Sequence, residues 1–266
     1  MSTTKTTQES SFKSLFAAIV IPVALVVSWI IYKFILGAPG NFDAEGHSIN
    51  TLGIVYQGGP IVPILITVLL LVLTFSIERF ITIAKAKGSG RVEPFIRNVK
   101  GLMSAGNFDA AIAECDKQKG SIAAVIKAGL GKYKYVENDN SMDKESKIAA
   151  IQKELEEATS LELPMLSKNL VIISTCASIA TLIGLIGTVL GMIRAFAALA
   201  QAGAPDATAL ATGISEALIN TALGITGSTI AIIMYNYFTT KIDTLTYGID
   251  EAGFSIVQTF NEKHKA

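Results

Sequence analysis

Four apolar runs, at residues 15–36, 61–83, 169–198 and 214–238, constrain this chain more than anything else in it. A bilayer core of about 30 Å takes roughly 20 residues of helix to cross, and every run is long enough. Inside lipid no water satisfies backbone amides and carbonyls, so only helices or closed barrels serve. The strict alternation of a membrane barrel is absent. Hydrophobic residues make up 50% of the 266 and charged residues only 17%, too little charge for an ordinary soluble chain of this length. The expected fold is all-α, a polytopic helical membrane protein with four transmembrane helices and a helical cytoplasmic domain.

The basic residues set the orientation. Lys5 and Lys13 precede the first run, fourteen Lys and Arg lie in 84–168, and Lys241, Lys263 and Lys265 follow the last run. Loops 37–60 and 199–213 carry no Lys or Arg, only Asp43, Glu45 and Asp206. Positive loops stay in the cytoplasm. The expected division is a cytoplasmic N-terminus (1–14), a first span (15–36), a periplasmic loop (37–60), a second span (61–83) and a cytoplasmic helical domain (84–168). A third span (169–198), a second periplasmic loop (199–213), a fourth span (214–238) and a cytoplasmic C-terminal helix (239–266) complete it. Lys33 and Arg194 lie near outer helix ends, where long side chains snorkel to the headgroups. Trp29 and Tyr32 fit an outer aromatic belt, and Tyr235 and Tyr237 an inner one. Lys13 before an apolar run also suits a signal peptide. The run is too long for one, and Leu36/Ala38 make a poor cleavage site, which favours a retained anchor. Pro22 within it reads as a tolerated membrane proline.

Little in the chain points to an enzyme. Cys115 falls on the reducing side and Cys176 in the third span, so no disulfide framework is expected. His47 and His264, the chain's two histidines, fall on opposite sides of the membrane, and no metal-ligand cluster is expected. Segment 84–168 shows no Ser-His-Asp arrangement, phosphate loop or dinucleotide fingerprint, so neither catalysis nor a bound cofactor is expected. It reads as helices instead. Asn107 is an N-cap with Asp109 in the first turn, Gly120 ends that helix, and Ile122, Val125, Ile126 and Leu130 face a core along 121–135. Residues 137–144 make a polar loop. From Glu145 a helix runs through Ile148, Ile151, Leu155 and Ala158, past Pro164 and into the third span. Fourteen basic and twelve acidic residues in 84–168 argue against nucleic-acid binding. A solvated helical base that packs against copies of itself fits that balance.

The third and fourth runs carry the functional signal. Ser174, Ala177, Thr181, Gly184, Thr188, Gly191 and Ala195 recur at spacings of three and four, a stripe of small residues along one helix face. Ala217, Thr221, Gly224, Ser228 and Ala231 make a second stripe. Such faces pack helices closely or line a narrow passage. For the Ala and Gly positions, packing is the plainer reading. Thr188 and Thr221 differ because, at 1.5 Å per residue, they sit about 15 and 12 Å from the outer helix ends. Two hydroxyls at one depth could ring a pore. Neither run has Asp, Glu, Lys or His in its central part; Glu216 stands at the outer mouth of the fourth, and Glu78 with Arg79 near the inner end of the second. A proton-driven device needs a titratable group in mid-membrane, and hydroxyls do not titrate near neutral pH. A partner would have to supply the carboxylate.

GLIGTVLGM at Gly184–Met192, the following Phe196–Ala197, and GISEALINTALG at Gly213–Gly224 resemble the MotA/TolQ/ExbB proton-channel family, and within it the ExbB branch most. The resemblance covers roughly residues 165–240. Residues 1–40 are an addition relative to three-span ExbB proteins. MotA proteins carry prolines near the inner ends of their pore helices, whereas here none occurs between Met165 and Ala204 or beyond Pro205. The resemblance implies proton-pore threonines at Thr188 and Thr221 and a pore-entrance glutamate at Glu216. It further implies a pentamer around an ExbD-like single-span partner whose aspartate binds the proton. A TonB-like protein would pass the motion to outer-membrane receptors. The implied location is the inner membrane of a Gram-negative bacterium. A TolQ-like or motility stator shares the chemistry, and a non-conducting structural scaffold would use the same stripes only to pack. Residue chemistry alone does not separate proton from sodium.

Overall fold

The structure is a computed structural model and describes residues 3–200 and 206–264, with side chains for Phe16 and from Ala18 onward. Part of the expected 199–213 loop, residues 201–205, lies outside the described residues, as do Lys265 and the side chains of Lys5 and Lys13. The fold is all-α, and no strand occurs among the described residues. In chain order the helices are α1 (Thr3–Ile30), α2 (Thr51–Tyr56), α3 (Val62–Lys87), α4 (Val92–Ser104), α5 (Phe108–Gln118) and α6 (Gly120–Glu137). They are followed by α7 (Lys144–Ser167), α8 (Leu170–Leu199) and α9 (Ala207–Lys263). Four helical segments, Ala18–Leu36, Gly59–Ser104, Lys144–Leu199 and Ala207–Lys263, are long and apolar enough to cross a membrane. Pro22 lies inside α1, which continues through it.

The chain forms two compact units. One takes residues up to Ser76 with Ile172–Tyr235, the other Ile77–Val171 with the residues from Asn236 on. In the first, α1 and α3 are joined through Ser28, which is fully buried and hydrogen-bonded to Thr67 at 2.6 Å. Each hydroxyl also reaches a carbonyl of its own helix, Leu25 and Pro63. Two protons serve three such contacts, so the pair is satisfied whichever way it is polarised. Past Ile30 the helix loosens into a π-turn over Ile31–Leu36, whose carbonyls at Ile35 and Leu36 accept from Asn41 Nδ2 at 2.7 and 2.8 Å. Tyr32 stacks on Tyr56 with ring centroids 4.6 Å apart, which ties that end to α2.

The second unit has an ordinary soluble-type core. Asn107 caps α5 by accepting from the Ala110 amide at 3.2 Å, as the sequence suggests. Ile122, Val125, Ile126 and Leu130 of α6 are all buried, packed between α5 and α7 with Ile151 and Leu155. Tyr133 stacks on Phe108 and meets Phe260 edge-on. Cys115 is buried here, and burial pushes its thiol from 9.0 up to about 12, so it behaves as a small apolar residue and not a nucleophile.

The junction of α7 and α8 departs from the sequence reading. α7 does pass Pro164, but it ends at Ser167, and a turn at 168–169 precedes α8. The Met165 and Leu166 carbonyls accept from Arg79 Nη1 at 3.1 and 2.9 Å, so a guanidinium serves acceptors at the helix end. Arg79 is 2% exposed and also donates from Nε to Glu78 at 2.6 Å. Glu78 accepts from Asn169 and Thr82 as well. The sequence leaves this acid and base either paired or solvated; here they are paired, with Arg79 buried and Glu78 half-buried. α9 is one helix from Ala207 to Lys263, so the expected fourth span (214–238) and the C-terminal helix (239–266) run on without a break among the described residues. Hydropathy marks where the surroundings change, which need not be where a helix ends.

Candidate functional site

In the first unit α8 and α9 lie so close that their glycines are in backbone contact. A Cβ built on Gly224 would come within 2.7 Å of the Ala180 carbonyl and 2.9 Å of Gly184 Cα. One on Gly191 would meet the Ala217 amide at 2.7 Å, and one on Gly213 the Ala195 amide at 2.7 Å. Real Cβ atoms do not approach so closely, so these positions admit only glycine without a shift of the helices. Of the two stripes, Ala177, Gly184, Gly191, Ala195, Ala217, Gly224, Ser228 and Ala231 are buried, while Ser174, Thr181, Thr188 and Thr221 are half-buried. The line of closest contact runs through Ala180, Gly184, Gly187, Gly191 and Ala195, with Thr188 on its flank.

That offset gives the threonines their setting. Thr188 Oγ1 and Thr221 Oγ1 are hydrogen-bonded to each other. Thr188 also reaches the Gly184 carbonyl at 3.2 Å, and Thr221 the Ala217 carbonyl at 3.1 Å. Each hydroxyl has one proton, so one donates across the pair while the other donates to its own helix. The chain Thr188 to Thr221 to Ala217 can therefore reverse to Thr221 to Thr188 to Gly184 by rotating two hydroxyls. Oxygen lone pairs remain for a third group on the half-exposed side. Such a pair can accept, position or pass a proton, and it cannot hold a charge.

Glu216 is 5% exposed and ion-paired with Arg194 Nη1, whose side chain is half exposed. The sequence places Arg194 only as a snorkelling cation, because pairing across two helices depends on their register. The carboxylate also lies against the backbone of Gly59: a Cβ there would be 2.6 Å from Glu216 Oε1. Gly59 has φ +74°, so both its conformation and the close approach require glycine. One turn along α9, Asn220 is fully buried. Its Nδ2 donates to the Gly58 carbonyl at 2.8 Å, and its Oδ1 has no hydrogen-bond partner. A buried amide in an apolar span was a signal available in the sequence.

A family model described as the MotA/TolQ/ExbB proton channel family matches residues 117–251, just over half of the chain. The chain belongs to this family. Among similar proteins is a TolQ protein of the Tol-Pal system from Pseudomonas aeruginosa, 28% identical over 124 residues, covering 47% of this chain and 54% of that protein. A putative ExbB-like biopolymer transport protein from Synechocystis is 36% identical over 86 residues, 32% of this chain and 41% of its own length. A biopolymer transport protein ExbB from Pseudomonas putida is 28% identical over 118 residues, 44% of this chain and 36% of that one. The chain thus matches about half or less of the length of these relatives. The matched region contains both threonines, Glu216, Arg194 and the glycine contacts between α8 and α9, but not Gly59.

Proposed function

We propose that this chain is an ExbB-like stator subunit of the inner membrane, which turns the proton motive force into mechanical work on a TonB-like protein. The observation that carries this is the hydroxyl pair at Thr188 and Thr221. It joins two membrane-length helices, it has free lone pairs on a half-exposed side, and the central parts of the two apolar runs carry no Asp or Glu of their own. The pair suits a partner that brings the acid. An ExbD-like single-span chain with a mid-membrane aspartate would place its carboxyl against these hydroxyls, and proton release would change the hydrogen bonds between ring and partner. Glu216, held by Arg194 five residues before Thr221 on α9, would shape the outer entrance. Several copies of this chain, most simply five, would enclose the partner helices, with the termini and the unit containing α4 to α7 in the cytoplasm.

A TolQ-like role is the second reading, and the Pseudomonas aeruginosa relative supports it. It keeps the same ring, threonines and borrowed carboxylate, and replaces outer-membrane import by envelope maintenance. Native mass after co-expression tests both. A single-span partner with a mid-membrane aspartate should be retained as one or a few copies inside a ring of this chain. A ring that never retains such a partner would leave only a structural scaffold.

A further inference from the structure

Within the second unit the end of α3, the first turn of α4 and the middle of α9 enclose an open cleft of about 580 Å³. Its walls change character along its length. Phe80, near the end of the second apolar run, and Tyr237, at the end of the fourth, supply an apolar end; they are 58% and 44% exposed. Lys87, Arg91 and Lys241 follow one to three turns beyond. Among the described residues these three cations make no ion pair, and Lys241 lies over the Tyr237 ring at 5.6 Å. Of the two carboxylates on the walls, Glu251 is paired with Lys100 at 2.6 Å, which leaves Glu93 against three positive charges.

The cleft is also held in shape. Gln118 Nε2 donates to the carbonyls of Lys87 and Gly90 at 2.9 and 3.4 Å, and the Ser89 amide donates to the Gln118 carbonyl at 2.7 Å. Gly88, with φ +82° and backbone carbonyls packed where a Cβ would stand, makes this turn between α3 and α4 possible. Lys87 and Arg91 therefore leave a pinned turn.

We propose that this cleft binds one anionic phospholipid of the surrounding bilayer, its phosphate held by Lys87, Arg91 and Lys241 and an acyl chain laid along Phe80 and Tyr237. Inorganic phosphate would use the cations and leave the exposed rings idle. A lipid uses both, and the cleft opens where two apolar runs end and basic residues begin, the level of the headgroups. The proposal rests on α3 and α9 crossing the membrane. It does not depend on the proton channel, and its test needs neither a partner nor a proton gradient.

The test is native mass spectrometry of the full chain in detergent with phosphatidylglycerol or phosphatidylcholine of the same acyl composition. The wild type should retain phosphatidylglycerol in preference by at least about tenfold, and K87Q/R91Q/K241Q should lose most of that preference. Lys153→Gln, at an exposed position on α7, should change nothing. All three cleft cations are exposed, so the triple variant should fold; if it does not, Arg91→Gln alone should lower the preference severalfold. Equal retention of both lipids, or an unchanged preference in the folded variants, overturns the proposal. So does displacement of phosphatidylglycerol by millimolar inorganic phosphate at constant ionic strength, which would mark a site for a free phosphate.

Discussion

Gly224→Val should separate α8 from α9 and prevent recovery of a folded, assembled protein. The added Cβ alone would stand 2.7 Å from the Ala180 carbonyl and 2.9 Å from Gly184 Cα. Both neighbours are backbone, so no side chain can rotate away and a helix must move. Overpacking a well-filled interior costs about 1–3 kcal/mol when side chains can give. Here the same shift also parts Gly191 from Ala217, so the upper end of that range is a minimum. Gly227→Ala is the control, three residues along the same helix. Its Cβ would meet only Ala180 Cβ, at an ordinary 3.6 Å, and alanine is the better helix former by about 1 kcal/mol. Thermal unfolding and size exclusion in detergent should show Gly227→Ala at least as stable as the wild type, with Gly224→Val aggregated. Similar behaviour of the two would mean that the close α8–α9 contact does not hold in the folded protein.

Arg79→Leu should cost about 3–5 kcal/mol, because it strands a partly buried carboxylate. Arg79 is 2% exposed and bridges Glu78 to the Met165 and Leu166 carbonyls. Without it Glu78 keeps only neutral donors, Asn169 and Thr82, and two carbonyls at the end of α7 lose their partner. Removing the charge as well, in Glu78→Gln/Arg79→Leu, should restore part of the loss. Arg79→Lys should fall between, since one ammonium cannot reach both the carboxylate and the carbonyls with a planar fork. Denaturant titration in micelles would give the four values. A loss below about 0.5 kcal/mol for Arg79→Leu, the range of an exposed position, would show the network to be solvated.

What could be read from the sequence follows a physical division. Run length and composition determine whether a helix suits a bilayer, and four membrane-length segments follow from them. Local chemistry determines caps, and Asn107 is found where a short polar residue precedes an apolar helix. Counting 1.5 Å per residue from the helix ends sets Thr188 and Thr221 nearly level, and their hydroxyls are hydrogen-bonded to each other across α8 and α9. Contacts between elements were harder. Thr188 was placed in the middle of the stripe, but Gly187 faces Asn220, and one residue of offset turns a helix face by about 100°. Arg194 looked like a snorkelling cation because nothing within its own helix can pair it. The break at 168–169 is served by Arg79, some ninety residues earlier in the chain, which no local pattern could report.

Proton flux into sealed vesicles is the most direct test of the central claim. A complex of this chain with the proposed single-span partner should conduct, and Thr188→Val/Thr221→Val, with ring and partner shown intact by native mass, should lose at least about tenfold of that flux. This is the scale of one lost hydrogen bond to a charged group in the limiting step. Thr188→Ser/Thr221→Ser keeps both hydroxyls and should retain most of it. Undiminished flux through the intact valine complex would remove the hydroxyl pair from the pathway and contradict the account.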